Sequence, residues 1–197
     1  MPSAEGTFSD VISALAALGD SCIGGAQVFG TWTFRDPPAS PGSPGYTSVG
    51  HGGAVRALGS YLGALAEVYP DVSAFVAMEP HADRVAPHFH GLLAGLPAGV
   101  AAAIDQGRRL SGSPRELAEE LAGLPFSERI ARDVFWGRWW QAHGMARLEA
   151  VQGDGASLYV AKYSVKGGDD VPFWRIWTPG ELRESWVAST HARRRPR

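Results

Sequence analysis

Apolar and polar positions along the chain follow two different periods. Residues 8–18 and 54–68 place apolar side chains at helical spacing, and 26–34 alternates β-branched and aromatic residues as a strand does. Two shorter apolar runs, 72–78 and 89–93, are separated by a polar connection. We predict that these two runs pair as a β-hairpin.

The second half of the chain continues this mixture. Residues 126–142 and 157–165 have the pattern of helices, whereas 145–151 and 173–177 have the pattern of short strands. Strands interleaved with helices in this order predict an α+β fold. Its centre is expected to be an antiparallel sheet of about five strands, flanked by helices.

Two segments interrupt the pattern. Residues 36–53 are so rich in Pro, Gly and Ser that neither a helix nor a strand is expected to propagate through them, which predicts a long loop. Residues 97–123 are Ala-rich and polar, with a helix start at Ser113-Pro114. Their sequence suggests no role.

Composition limits the kind of protein. At 197 residues and 45% hydrophobic side chains, the chain is long enough for one full core. We expect an N-terminal helix or extension over 1–25, one domain over 26–178, and a C-terminal helix with a basic tail over 179–197.

The single cysteine, Cys22, excludes a disulfide framework and a multi-cysteine zinc site. Without a basic N-terminal signal or an apolar run of about 18 residues, we expect a soluble, cytoplasmic protein with no membrane partner.

Charge limits how the chain could bind nucleic acid. Its formal net charge is −2, whereas domains that coat nucleic acid through bulk electrostatics are usually strongly basic. Any DNA contact must therefore be local. Arg193, Arg194 and Arg195 form a candidate DNA-binding tail, and a solvated tail explains the same cluster equally well.

Two histidines stand two positions apart in the second run of the predicted hairpin. Strand side chains alternate between faces, so His88 and His90 share one face while Phe89 points into the core. Two imidazoles on one face make half of a divalent metal site, which a carboxylate would usually complete. Glu79 is the candidate because it ends the preceding strand, and a hairpin would place it across from the histidines. Polar residues on an exposed strand face are the alternative.

A second polar group lies on the helix predicted over 157–165. Tyr159, Lys162, Tyr163 and Lys166 are spaced i, i+3, i+4 and i+7, which places them on one stripe. Of the 18 basic residues, the only two lysines stand in this stripe. An ammonium is a compact charge that can approach a phosphate oxygen or a phenolate. We predict a catalytic stripe, and an exposed helix face whose tyrosines shield the core is the alternative. The side expected to pack on the sheet consists of Val160, Ala161 and Val165.

An aromatic stripe lies on the helix predicted over 126–142. Trp136, Trp139 and Trp140 are spaced i, i+3 and i+4. Bases of single-stranded DNA could stack on such a stripe, but aromatic stripes at helical spacing usually face the core. We expect core packing.

The histidine pair and the tyrosine stripe together suggest one chemistry. A phenol is a poor nucleophile at its ordinary pKa of about 10, so its attack on phosphorus needs neighbouring cations and a metal. The metal would polarise the scissile phosphate, and the lysines would add positive charge. Attack would leave DNA attached through a 5′-phosphotyrosine and free a 3′-hydroxyl. A second transesterification could then rejoin the strand without ATP.

Three motifs in this order resemble a known family, the replication initiators with the HUH endonuclease fold. Thr31-Trp32-Thr33-Phe34 is similar to the family's first strand, Pro87-His88-Phe89-His90-Gly91 to its metal motif, and Tyr159-Val160-Ala161-Lys162-Tyr163 to its nucleophile motif. The resemblance covers roughly residues 26–178. It is greatest to the two-tyrosine initiators of small single-stranded DNA phages, and plasmid initiators are close behind.

The resemblance implies an RRM-like or ferredoxin-like topology and Glu79 as the third ligand of Mg²⁺ or Mn²⁺. It implies rolling-circle replication in a bacterial host, begun by nicking and rejoining single-stranded DNA at an origin. No phosphate-loop motif of a helicase follows the nuclease motifs, so a host helicase and polymerase are expected partners.

Several alternatives stay open. Plasmid relaxases and single-tyrosine transposases share the chemistry, and one-tyrosine initiators use only the position of Tyr159, so a second nucleophile at Tyr163 is undecided. A non-catalytic nucleic-acid-binding module on an RNA-recognition-like sheet is a different class. There, His88 and His90 would only line a groove.

Overall fold

The computed structural model describes residues 4–35, 49–79, 87–98, 137–151, 155–165 and 173–184, with the single positions 100, 104 and 153. The principal elements in this part of the chain are α1 (Ala4–Ile23), β1 (Val28–Thr33), α2 (His51–Val68), β2 (Ser73–Glu79), β3 (His88–Ala94), α3 (Arg138–Ala142), β4 (Ala146–Ala150), α4 (Gly155–Val165) and β5 (Phe173–Trp177).

The five strands form one antiparallel sheet in the order β4-β1-β3-β2-β5. β2 and β3 pair as the predicted hairpin, with Glu79 opposite His88 and Ala77 opposite His90. The succession from β1 through α2, β2, β3 and α3 to β4 has the ferredoxin-like order. The α+β prediction, with an antiparallel sheet of five strands flanked by helices, is confirmed.

Alternation along the strands gives the sheet two faces with different coverings. On one face, Trp32 and Phe89 pack with Leu58 and Leu62 of α2 in the larger buried cluster. Trp139 of α3 joins this cluster, and its indole Nε1 donates a hydrogen bond to the carbonyl oxygen of Thr33 at 3.1 Å. This is the main core of the described chain.

The opposite face is called the site face below because it carries His88 and His90. Here Phe75 and Leu92 pack with Ile23 of α1 and Val160 of α4 in a second buried cluster. The hydroxyl of Ser157 donates a hydrogen bond of 2.5 Å to Asp20 Oδ1, which joins α4 to α1. α1 and α4 therefore lie side by side over the site face.

Close packing explains the glycine that follows the histidine pair. Gly91 pairs across the strands with Gly30, and the ring of Trp32 lies against both positions. A Cβ atom at Gly91 would lie 2.8 Å from Val76 Cγ2 and 3.0 Å from the Trp32 ring, and a Cβ atom at Gly30 would collide with the same ring. The indole therefore occupies the space that side chains would need at both positions.

Element boundaries differ from the sequence predictions most clearly in α1 and α2. α1 extends over Ala4–Ile23 rather than 8–18. α2 begins at His51, so the prediction of a loop over 36–53 is wrong for its last three residues. Gly52 and Gly53 fall in the first turn of α2, where the backbone N–H groups have no partner within the helix. The low helix propensity of glycine therefore matters least at these positions. Residues 36–48 lie outside the described residues.

The helix predicted over 126–142 is described only at its end. α3 covers Arg138–Ala142, and Trp139 is fully buried there, which confirms core packing for this member of the stripe. Trp136 and the side chain of Trp140 lie outside the described part of the chain, as does most of 97–123. Among the helices that are described, none is long and apolar enough to cross a membrane.

A capping arrangement starts a helical segment at 179–184. The Glu181 carboxylate accepts hydrogen bonds of 2.9 Å from both the backbone N–H and the hydroxyl of Thr178, and the Glu181 N–H donates to the Thr178 hydroxyl at 3.4 Å. The bond from the Thr178 backbone N–H is the main reason that the pKa of Glu181 is lowered, and the bond from the hydroxyl acts in the same direction. Thr178-Pro179-Gly180-Glu181 is thus a capping box with proline at the first helical position.

Candidate metal and tyrosine site

The β2–β3 hairpin brings Glu79, His88 and His90 together on the site face. Glu79 is the last residue of β2 and lies opposite His88, the first residue of β3, while His90 follows on the same face. Both histidines are buried, and Glu79 is half-buried. One ligand atom from each of the three residues lies within 4.8 Å of the other two. This group could hold a metal ion, as the sequence predicts.

Distances within the cluster suit a shared cation. Glu79 Oε2 lies 2.8 Å from His88 Nε2 and 3.3 Å from His90 Nε2. Ligand atoms bound to one ion at about 2.1 Å, with angles near those of an octahedron or a tetrahedron, are roughly 3.0–3.4 Å apart. The two distances from Glu79 are therefore close to those between ligands of one divalent ion. Two imidazoles and a carboxylate suit several such ions, including Zn²⁺, Mn²⁺ and Fe²⁺.

The ring of His90 is oriented by a residue on the neighbouring strand. Thr31 lies directly opposite His90 in the β1–β3 pairing, and its Oγ1 is 3.2 Å from His90 Nδ1. Because Nδ1 faces Thr31, Nε2 faces Glu79. A hydroxyl is suited to this place because it can either donate to Nδ1 or accept from it.

α4 places both of its tyrosines against His90. The Tyr163 ring stacks on the imidazole, with centroids 4.5 Å apart and planes 26° apart. The Tyr159 ring meets His90 edge-on, at 5.3 Å and 90°, and also meets Phe29 edge-on at 5.4 Å. The two motifs singled out in the sequence are therefore in direct contact.

The two tyrosines differ in their surroundings. Tyr159 is 41% exposed, whereas Tyr163 is 8% exposed, and the Tyr163 hydroxyl donates a hydrogen bond of 3.0 Å to the Tyr159 hydroxyl. Burial raises the pKa of Tyr163 well above its ordinary value, and the hydrogen bond to Tyr159 and the charge of Glu79 act in the same direction. Of the two phenols, Tyr159 is therefore the one that is open to solvent.

The stripe on α4 divides differently from the sequence prediction. Tyr159 and Lys162 are exposed, but Tyr163 packs on the sheet beside Val160 and Ala77. The prediction that all members of the stripe lie apart from the packed side is therefore wrong for Tyr163. The sheet below it offers a histidine as well as aliphatic side chains, so the phenol ring can stack on the imidazole and keep its hydroxyl bonded.

Several candidate residues lie outside the described residues. Lys166 follows the last residue of α4, and its side chain is not placed relative to the cluster. The basic tail with Arg193, Arg194 and Arg195 also lies outside. Their assignments therefore remain sequence predictions.

Sequence reasoning assigned no role to two residues of the site. Thr31 orients His90, and Phe29 contacts both His90, at 6.1 Å between ring centroids, and Tyr159. Strand alternation places Phe29 and Thr31 on the same face of β1. Their contact with His90 also requires β1 to lie next to β3, which only the order of strands in the sheet shows. Once that order is known, the odd-numbered positions of β1 can be recognised as neighbours of the two histidines.

One exposed cation shares the row of His90 on the site face. Arg147 of β4 lies opposite Thr31, and Thr31 lies opposite His90. Neighbouring strands are about 4.8 Å apart, so the Cα of Arg147 is roughly 10 Å from that of His90. The Arg147 side chain is 62% exposed and is paired with Glu149 of the same strand. Such exposed ion pairs are weak, so the guanidinium can turn to another anion at little cost.

Comparison with known proteins adds no relative. No protein-family model matches the chain, no curated protein matches it, and no solved structure matches it. Its functional interpretation therefore depends on the geometry described above and on the resemblance of the three motifs.

Proposed function

We propose that the protein is a metal-dependent DNA strand transferase that nicks and rejoins single-stranded DNA through a 5′-phosphotyrosine at Tyr159. The observation that carries this proposal is the contact between the exposed Tyr159 ring and His90, a member of the Glu79-His88-His90 cluster. A half-exposed phenol beside a buried cluster that fits a divalent cation is an arrangement suited to attack on a phosphodiester.

Each residue has a defined part in this chemistry. Glu79, His88 and His90 hold the ion, which we propose is Mg²⁺ or Mn²⁺, and the ion supplies positive charge to the scissile phosphate when bound. Lys162 lies on the exposed side of α4 less than one turn from Tyr159, and Lys166 stands four residues after Lys162 in the sequence. Both ammonium groups would stabilise negative charge on the phosphate and on the phenolic oxygen.

The reaction balances within the protein and its substrate. The Tyr159 oxygen forms a bond to phosphorus, the bond from phosphorus to the 3′-oxygen breaks, and that oxygen takes up a proton. The phenolic proton leaves to solvent, which reaches Tyr159. Because one phosphodiester is exchanged for another, a 3′-hydroxyl can reverse the step without ATP.

We place this activity in rolling-circle replication, where an initiator nicks an origin and host helicase and polymerase extend the free 3′-end. The three ordered motifs support this role. Plasmid relaxases and single-tyrosine transposases perform the same step on other DNA. A substrate from the origin of the replicon that encodes the chain, rather than a transfer origin or a transposon end, distinguishes replication from these.

A non-catalytic nucleic-acid-binding module is the second candidate. The observation that favours it is the β4-β1-β3-β2 part of the sheet, which has the strand order of RNA-recognition domains. Such a module would bind nucleic acid equally well after chelation of metals and would leave no covalent product.

The test uses the full chain with Mn²⁺ and a tiled set of single-stranded oligodeoxynucleotides covering that replicon. We expect an adduct that survives denaturation and is lost with EDTA and in Tyr159→Phe. Absence of an adduct with Mg²⁺, Mn²⁺ and Zn²⁺ alike would reject the enzyme. Binding that withstands EDTA would then favour the module.

A further inference from the structure

The two tyrosines of α4 are not equivalent. They are one helical turn apart, but Tyr159 is 41% exposed while Tyr163 is 8% exposed and belongs to the buried cluster of the site face. Their rings are in contact edge-on, with centroids 4.9 Å apart. A substrate phosphate can therefore reach one hydroxyl more readily than the other.

Two contacts fix the ring and the hydroxyl of Tyr163. The ring stacks on His90 at 4.5 Å, and the hydroxyl donates a hydrogen bond to the Tyr159 oxygen at 3.0 Å. For Tyr163 to attack phosphorus, its ring would have to leave the stack and the buried cluster, and its hydroxyl would have to give up that bond. Tyr159 needs no such movement, because it accepts the bond and is already exposed.

We propose that Tyr163 never accepts DNA but positions Tyr159 by donating a hydrogen bond to its reacting oxygen, so that the chain has one nucleophile. This inference rests on the proposed function. A donor held in place before the reaction stabilises negative charge that develops on the oxygen it faces, without reorganisation at that moment. The donated bond also fixes the direction in which the remaining lone pairs of Tyr159 point.

A single nucleophile limits the reaction cycle. After cleavage, DNA is joined to the Tyr159 oxygen and the 3′-hydroxyl is free. A second strand can be cleaved only after a 3′-hydroxyl attacks that phosphotyrosine, the bond from phosphorus to the Tyr159 oxygen breaks, and the phenol regains its proton. One chain therefore carries at most one covalent DNA end, and rejoining must precede the next cleavage.

The experiment maps the attachment site. The full chain, Tyr159→Phe and Tyr163→Phe are incubated with Mn²⁺ and the tiled single-stranded oligodeoxynucleotides, and the adducts are digested and sequenced by mass spectrometry. We expect DNA on Tyr159 alone in the wild-type chain and in Tyr163→Phe, and no adduct in Tyr159→Phe. The single-turnover rate of Tyr163→Phe should fall about ten- to hundredfold, as for loss of a donor to a developing anion.

Controls separate positioning from structure. Tyr163→Phe keeps the ring that stacks on His90, so its oligonucleotide affinity without metal and its melting temperature should match the wild type. Ser164→Ala removes a neighbouring buried hydroxyl that donates a hydrogen bond to the Val160 carbonyl oxygen within α4, and its rate should be unchanged.

Three outcomes would overturn the inference alone: DNA on Tyr163 in the wild-type chain, an adduct at Tyr163 in Tyr159→Phe, or a wild-type rate in Tyr163→Phe. Absence of any adduct in the wild-type chain would instead reject the proposed function, and this inference with it. The two failures are therefore distinguishable.

Discussion

Thr31 Oγ1 lies 3.2 Å from Nδ1 of His90, and the two residues are direct neighbours across β1 and β3. An imidazole that binds a metal through Nε2 must carry its proton on Nδ1, where an acceptor is then needed. A hydroxyl has both a proton and lone pairs, so it can bond to Nδ1 before and after metal binding. We therefore expect Thr31 to hold the His90 ring in one orientation in both states.

Replacing Thr31 with valine tests this relationship. Thr31→Val keeps the shape of the side chain but removes the hydroxyl, so the His90 ring loses its partner at Nδ1. We expect the affinity for Mn²⁺ to fall about tenfold, as is typical for loss of the hydrogen-bond partner of a metal-binding histidine. Isothermal titration of the purified chain with Mn²⁺ measures the change.

Two further variants complete this test. Thr31→Ser restores a hydroxyl and should recover most of the affinity. Thr33→Val removes a hydroxyl two positions further along the same face of β1, opposite His88 in the pairing, and should have little effect. Equal affinities for Thr31→Val and the wild type would mean that the contact does not orient the ligand.

The metal cluster also predicts a stability effect. At a Mn²⁺ concentration about 100 times its Kd, binding to the folded state adds about 2.7 kcal/mol to the free energy of unfolding. For a chain of this length, this corresponds to a melting temperature increase of roughly 5–10 °C. Glu79→Gln removes the anionic ligand but keeps an oxygen that can accept from His88, so most of this increase should be lost while metal-free stability changes little.

The matched control for that measurement is Glu149→Gln. This substitution removes a carboxylate that lies on β4, on the site face but outside the cluster. Its response to Mn²⁺ should equal that of the wild type. A full Mn²⁺ response in Glu79→Gln would exclude Glu79 as a ligand.

Arg147 is the exposed cation in the row of His90, and we predict that it contributes a phosphate contact to single-stranded DNA. In Arg147→Gln, the affinity for a labelled single-stranded oligonucleotide should fall, and the slope of log affinity against log salt should decrease by about 0.7 for one lost contact. Fluorescence anisotropy over a range of salt concentrations, without metal, measures both quantities.

Arg56→Gln is the control for Arg147→Gln. Arg56 is exposed on α2, which packs on the opposite face of the sheet. Its removal lowers the net charge by the same amount and should leave affinity and slope close to the wild-type values. Equal losses in both variants would indicate diffuse electrostatic attraction instead of a contact at Arg147.

The cluster was predictable because its residues lie on one hairpin. Glu79, His88 and His90 are brought together by period-two alternation and by pairing of two adjacent strands, and both are readable from local sequence. Thr31 was not found in the same way, because its contact with His90 depends on the pairing of β1 with β3, which are far apart in the chain.

The unequal burial of the tyrosines was not predictable either. Helical spacing puts Tyr159 and Tyr163 on one stripe, but it does not give the rotation of α4 about its axis relative to the sheet. Packing sets that rotation: Val160 and Tyr163 together enter the buried cluster, and Ser157 bonds to Asp20 of α1. Helical spacing therefore predicted the shared stripe, and packing decides which of the two phenols stays exposed.

The Gly30-Gly91 pair predicts opposite effects for two glycine substitutions. A Cβ atom at Gly91 would lie within 3.2 Å of the Phe75 carbonyl oxygen as well as against Val76 and Trp32, and backbone cannot yield as a flexible side chain can. Gly91→Ala should lower the free energy of unfolding by about 1–3 kcal/mol. At Gly59, inside α2, an added Cβ meets nothing within 4 Å, so Gly59→Ala should raise that free energy by about 0.5–1 kcal/mol.

Urea unfolding of both variants, paired with Mn²⁺ titration, connects this packing to the site. Gly91 stands next to His90, so a strand displaced by the overpacked alanine should also move the His90 imidazole and weaken Mn²⁺ binding. Gly59→Ala should leave Mn²⁺ affinity unchanged, because α2 packs on the face away from the cluster. If Gly91→Ala were as stable as the wild type, the indole of Trp32 would have to be able to move aside, and the glycine would not be required by close packing.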